Sequence, residues 1–310
     1  AVDADEGDHH DLLWRRFRFG AVAKFTGDVK VHIEADFDLN ESIDESYSQL
    51  TDAYIAWSPW QDWESKILKQ SAGFTLDGAT SSRNLFTPER NNLTNNLWFT
   101  AEYFTGWLLQ GPCAELSHCE FGVFSSSGSA ELSDFDASWF TLVSLEHDFA
   151  AAWGQEQALL RVDYVHNDED ASANTRPFTD VLSLVGHWQQ GRWDVNAELA
   201  GGIGFDGQSD VAGLVVMPMY DITPRWQVVG RYTRLDSSDD HGIRLNRYEA
   251  EIVAERGDAY QELFVGLNWF IYGHKLKWQS GLQYTRMDDS SGSSGDFDGW
   301  GVSSGLRVYW

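Results

Sequence analysis

The stretch Val29-Lys30-Val31-His32-Ile33-Glu34-Ala35-Asp36-Phe37-Asp38 alternates without a break. Successive side chains of an extended strand point to opposite faces, so Val29, Val31, Ile33, Ala35 and Phe37 share one side. Lys30, His32, Glu34, Asp36 and Asp38 share the other. One face is wholly apolar and the other wholly polar. The division recurs from Trp193 to Leu199, where Asp194, Asn196 and Glu198 oppose Val195, Ala197 and Leu199. It recurs again from Lys275 to Tyr284, with Leu276, Trp278, Leu282 and Tyr284 on the apolar side.

A soluble sandwich would turn each apolar face inward. The connections argue for a membrane barrel instead. Short turns are expected at Thr26-Gly27-Asp28, Gly191-Arg192, Thr223-Pro224 and Gly273-His274, with longer Ser/Asp/Gly stretches between them, such as 236–242 and 288–298. Outer-membrane barrels show this asymmetry, short turns at the periplasmic rim and long loops outside. Trp60, Trp63, Trp153, Trp188, Trp193 and Trp226 stand at or beside the short turns, where an aromatic girdle belongs. The terminal run Gly305-Leu306-Arg307-Val308-Tyr309-Trp310 alternates and ends on an aromatic, like the signal read by the barrel-insertion machinery.

Composition agrees. Trp is 15, all aromatics are 14%, and Gly is 28 against 6 Pro. No run approaches the ~18 apolar residues of a membrane helix, and a mean hydropathy of −0.39 alone would suggest a soluble protein. A barrel strand shows lipid only every second side chain, which reconciles the two. With Lys+Arg 22 against Asp+Glu 48, the net charge of −26 excludes nucleic acid as a partner.

About fifteen strands can be counted, from 12–25 to 297–310. Bacterial single-chain barrels have even counts, so sixteen are expected, the further strand lying either before residue 1 or unseparated within the pattern. No signal peptide is present, as expected of a mature chain from which a secretion signal has been removed. Residues 1–11 form an acidic segment, read as a solvated tail, ahead of a barrel spanning 12–310.

Several blocks carry a resemblance. They are Trp14-Arg15-Arg16-Phe17-Arg18-Phe19-Gly20, Gly27-Asp28-Val29-Lys30, Glu34-Ala35-Asp36-Phe37 and Leu50-Thr51-Asp52-Ala53-Tyr54-Ile55. Gly73-Phe74-Thr75-Leu76-Asp77, Ala79-Thr80-Ser81-Ser82-Arg83-Asn84 and Thr87-Pro88-Glu89-Arg90-Asn91 follow in order. This quarter of the chain resembles the phosphate-selective porin O and P family. The resemblance implies a sixteen-stranded trimeric porin of the Gram-negative outer membrane, surrounded by lipid and lipopolysaccharide, that passes anions such as phosphate by diffusion. It also implies that the loop at 78–96 folds into the lumen and narrows it. Arg15 and Arg16 match the double-arginine position, and Ser81, Ser82, Glu89 and Arg90 match the loop motif, with Arg83 in the same block. Lys69 stands where the family carries a polar or basic residue.

The residues add their own argument. A narrow lumen screens charge poorly, so a few fixed charges set ion preference. Arg16 and Arg18 share a face opposite Phe17 and Phe19, and Arg161 and Arg231 fall on polar faces of later strands. The constriction set is therefore Arg15, Arg16, Arg18, Lys69, Arg83, Glu89, Arg90, Arg161 and Arg231. His32, Glu34, Asp36, Asp194 and Glu198 are expected as polar and acidic lumen residues, with Asp163 beside them. So many carboxylates leave the sign of selectivity open, and the six lysines do not form a cluster suited to phosphate.

Cys113 and Cys119 bracket a short turn, and an oxidising compartment favours a disulfide there over a metal site with His118. No cofactor or resident metal is expected. Serines and aspartates abound in the loops, but none stands in a nucleophile motif, which argues against an enzyme. A structural barrel sheathing a partner protein is the alternative function, and an inward loop weighs against it.

Overall fold

The computed structural model describes the chain except Thr26, Gln61, Thr100, Ala101 and Glu102, and the side chain of Pro59. Thr26, the first residue of one expected turn, thus lies outside the described residues. Seventeen strands make one sheet. In chain order they begin with two three-residue strands, β1 (Val2–Ala4) and β2 (Gly7–His9). The longer strands start with β3 (Phe17–Phe25), β4 (Val29–Phe37), β5 (Tyr47–Trp60) and β6 (Trp63–Ser71). Two short helices follow, α1 (Leu76–Ala79) and α2 (Asn92–Leu97), then β7 (Tyr103–Ala114), β8 (Ser117–Ser125) and β9 (Trp139–Asp148). A one-turn helix α3 (Ala150–Trp153) leads to β10 (Gln157–Asn167), β11 (Phe178–Gln190), β12 (Trp193–Gly204) and β13 (Val211–Thr223). The chain closes with β14 (Trp226–Ser237), β15 (Ala259–Tyr272), β16 (Leu276–Asp288) and β17 (Phe297–Val308).

From β3 to β17 every strand pairs antiparallel with the next. The fifteen long strands answer to the fifteen segments of the alternating pattern. Turns of few residues join β3–β4, β5–β6, β7–β8, β11–β12, β13–β14 and β15–β16 at one rim, and the long connections lie at the other. Gly191 and Gly273 take left-handed backbone (φ 61° and 54°) in two of the short turns, where a side chain would be strained.

The sheet curls round a lumen, as in an outer-membrane barrel. Its outer face leaves Phe19, Ile33, Leu182, Leu199, Leu263 and Val302 exposed, and Trp57, Trp60, Trp153, Trp193 and Trp226 stand exposed near the short-turn rim. Such a continuous apolar band with an aromatic girdle is stable against hydrocarbon, not water.

The buried core lies inside the lumen. Phe74, Leu76, Leu93, Leu97, Trp98 and Phe99 of the segment between β6 and β7 pack on Phe104, Phe124, Phe140, Val181, Val215 and Met217 of the wall. Phe140 sits at the centre, its ring 5.0 Å from Phe99, 4.8 Å from Phe104 and 5.1 Å from Phe124. The lumen face of β13 accordingly carries Val211, Val215, Met217 and Met219, so the uniformly polar interior suggested by β4 does not extend round the barrel.

Two expectations change at the N-terminus. Strand 12–25 begins only at Phe17, leaving Arg15 and Arg16 in irregular chain just before β3. The acidic segment 1–11 is no free tail: β1 and β2 form a hairpin on β17, with Val2 opposite Gly301 and Ala4 opposite Gly299. The free backbone groups at the top of β17 give these residues a ladder that hydration alone does not offer.

Candidate functional site

The segment from Ala72 to Phe99 packs against the inner side of the wall, and the 78–96 stretch expected to narrow the lumen lies within it. Local chemistry shapes it. Asn91 caps α2 by accepting from Thr94 N at 2.8 Å, and Asp77 Oδ2 accepts from Asn91 N (2.7 Å) and Nδ2 (2.8 Å). Thr75, at φ 67°, is fixed from the wall: its N–H donates to Asp163 Oδ2 at 3.0 Å and its carbonyl accepts from Arg161 at 2.8 Å.

Further along, the wall supplies a row of donors to loop carbonyls. Leu85 O accepts from Lys277 Nζ (2.6 Å), Gln279 Nε2 (3.1 Å) and Arg307 Nη1 (3.4 Å). Asn268 donates to Phe86 O at 2.9 Å and Arg307 to Pro88 O at 3.1 Å. Arg231 donates to Thr87 Oγ1 and Glu89 O, both at 3.0 Å, while its Nε meets Glu262 at 2.8 Å. Buried carbonyls without such partners would be costly, so these bonds hold the loop in one place.

In front of this loop lies a cavity of about 1970 Å³, lined by residues of both the loop and the wall. It extends between Phe17–Val22 of β3 and Ser303–Val308 of β17. Eight cationic side chains line it, Arg15, Arg16, Arg18, Lys66, Arg83, Arg90, Arg161 and Arg307. Seven carboxylates face them, Asp11, Glu34, Asp52, Glu89, Glu120, Glu146 and Glu249. The chain carries −26, so its acidity is concentrated elsewhere.

Many of these charges are paired. Arg15 meets Glu89 at 2.9 Å, Arg83 meets Glu34 at 3.0 Å, Arg18 meets Asp36 at 3.2 Å and Arg161 meets Asp163 at 3.0 Å. Arg18 also donates to the Tyr103 hydroxyl. Arg90 donates to Asp77 O at 2.9 Å and lies 4.7 Å over the Trp98 ring, a cation–π contact that orients it. A smaller cavity of about 100 Å³ is lined by Arg15, Glu89, Arg90, Asn95, Trp98, Phe99 and Arg176. His32 and Glu34 line the large cavity, His32 edge-on to Tyr54.

Two expected aperture residues stand elsewhere. Lys69 is buried and donates to the carbonyls of Ser129, Ala130 and Glu131, and Arg231 is buried beneath the loop against Glu262. Both point to the lumen side of their strands, but folded segments cover them. Glu198 is likewise covered and accepts from Ser183 at 2.8 Å, and Asp194 pairs with His187 at 3.0 Å. Cys113 and Cys119 are joined in a disulfide at the β7–β8 turn.

Sequence reasoning passed over Arg307, Lys277, Arg176, Arg244 and Arg256. For Arg307 a signal existed: it stands between Leu306 and Val308 in an alternating strand and so faces inward. The last three lie in irregular outer segments, where no period exists to read.

A family model described as phosphate-selective porin O and P matches residues 1–310. No curated protein matches at a significant level. Among solved structures, the chain is similar to an anion-selective porin from Comamonas acidovorans at 10% identity and a TM-score of 0.65, covering 94% of this chain and 88% of that one. It is similar to OprB of Pseudomonas putida at 10% identity and 0.64, covering 94% and 86%. It also resembles OmpT of Vibrio cholerae in a trimer form, at 12% identity and 0.56, covering 95% and 91%. At these identities the structures speak to the fold.

Proposed function

Because the chain belongs to the phosphate-selective porin O and P family, and is an outer-membrane β-barrel porin through which small hydrophilic solutes diffuse passively, we propose that its channel favours small anions. The carrying observation is the concentration of base in the cavity before the loop: eight of the 22 Lys and Arg of a chain of −26 line it, against seven lining carboxylates, with Asp36 and Asp163 paired behind Arg18 and Arg161. The small cavity beside it holds three arginines to one glutamate. In a narrow, poorly screened passage, that local concentration of base outweighs distant surface acids, whose field is damped within ~8 Å at physiological salt.

The selecting residues are Arg15, Arg16, Arg18 and Arg90, with Arg83 and Arg161 next to them, and Glu89 as the opposing charge. Phosphate is one candidate solute, supported by the family. A homotrimer is supported by the trimer form of the Vibrio cholerae structure. A partner protein threaded through the barrel would have to displace the packed segment from Phe74 to Phe99.

The test is the reversal potential of purified protein in a planar bilayer under a potassium chloride gradient. A chloride-directed potential supports the reading. A potassium-directed potential would place the filter in the carboxylates and refute it. The mass of the protein–detergent complex tests the trimer separately.

A further inference from the structure

Two outer connections, residues 168–177 and 238–258, descend onto the C-terminal end of α2. Arg176 Nη2 donates to Asn95 O at 3.0 Å. Arg244 joins through its main chain: its N–H donates to Asn96 Oδ1 at 2.9 Å, and its carbonyl accepts from Asn92 (2.8 Å) and Asn96 (3.0 Å). Arg256 donates to Gln208 Oε1 at 2.9 Å, and Gln208 in turn donates to Gly242 O at 2.8 Å. The three guanidinium groups, from two loops, lie near enough to repel one another, Arg176 feeling both of the others and Arg244 feeling Arg256.

Among the described residues none of the three has an ion-pair partner. Each guanidinium has five N–H donors in a fixed fork, and among the described residues Arg176 and Arg256 each use one. Arg176 Nε is buried with no hydrogen-bond partner among the described residues. Burial pushes Arg176 down to about 9, with Arg244 and Arg256 adding to the effect, and burial together with Arg256 pushes Arg244 down to about 10. Both stay cationic at neutral pH, so the cluster holds uncompensated charge. Arg176, alone of the three, also borders the cavity of about 100 Å³, which opens it to the lumen side.

We propose that Arg176, Arg244 and Arg256 bind a small oxyanion, of the phosphate or carboxylate type, and that the bound anion fastens the two outer loops to the constriction segment. Fork-shaped donors match such oxygens in pairs, which a halide does not offer. The site shares Arg176 and the small cavity with the proposed aperture, but the fastening of the loops does not depend on which ions the channel passes. Its lumenal access selects a soluble anion rather than a lipid headgroup as the occupant.

The test is calorimetric titration of inorganic phosphate into the detergent-solubilised protein at constant ionic strength, with chloride as the reference. Saturable binding to wild type is expected, weakened about tenfold or more in Arg244→Ala and in Arg256→Gln. Arg244→Ala removes a side chain that makes no hydrogen bond among the described residues and leaves the main-chain bonds to Asn92 and Asn96 in place, and heat-modifiable gel migration reports that the barrel has folded. Unchanged affinity in both variants overturns the proposal, as does the absence of saturable binding in wild type. Loss of binding in Arg90→Gln with retention in Arg244→Ala puts the anion at the aperture and also overturns it. That last outcome leaves the anion preference of the channel standing.

Discussion

Arg231 and Glu262 face each other at 2.8 Å beneath the constriction loop, both fully buried, and the same guanidinium reaches up to hold Thr87 and Glu89. One side chain therefore neutralises a carboxylate in the wall and fixes the loop in front of it.

Removing one partner of this pair strands the other charge. Arg231→Gln is expected to destabilise the protein by about 3–5 kcal/mol, measured by urea unfolding in lipid vesicles, and to raise open-channel noise as the loop loosens. Replacing both residues with apolar ones is expected to cost much less than the sum of the single changes. A double-variant cost equal to the sum of the two single costs would show that the pair is uncoupled.

The Arg15–Glu89 pair behaves differently because both partners are partly exposed. Glu89→Gln is expected to change stability by under about 1 kcal/mol. It removes a carboxylate from the small cavity, so the reversal potential is expected to move further toward chloride.

Glu249 lies in an outer connection, lines the large cavity and accepts from Gln283. Burial above all, with Glu262 and Glu89 adding to it, pushes its carboxyl up to about 7. The group is neutral below that value and anionic above it. As pH falls from 8 to 6 the lumen loses negative charge, and the preference for anions is expected to rise. Glu249→Gln is expected to hold the low-pH preference across the range, and the difference between the two titrations isolates this residue from the lumenal histidines.

Phe140 is fully buried amid Phe99, Phe104 and Phe124. Phe140→Ala is expected to cost about 3–5 kcal/mol, since the surrounding rings cannot collapse into the space. The same change undermines Phe99 at the end of the constriction segment, so larger and more variable unit conductance is expected in single-channel records.

Strand positions were legible because a period of two survives in most membrane-facing strands, and Leu199, Leu263 and Val302 mark the outer side without ambiguity. Alternation also told which side of the sheet Lys69 and Arg231 occupy. It is silent on what lies over that side, and both prove to be covered by folded segments. The apolar lumen face of β13 was visible as a run from Val211 to Tyr220 that is apolar on both faces, the mark of a strand buried on both sides. The arginines of the outer loops were out of reach because contacts such as Arg176 to Asn95 depend on chain paths without a period.

The bonds that fasten the loop reach far along the chain: Arg90 O to Asn246 spans 156 residues, Leu85 O to Lys277 192 and Pro88 O to Arg307 219. Synthesis delivers the plug long before it delivers the sockets. Phe74, Leu93 and Leu97 have a complete wall to rest on only when the strands from β7 to β17 are all in place. The aperture is thus the last part of the barrel to acquire its shape, and an interrupted assembly leaves a sheet in the membrane with an unshaped passage.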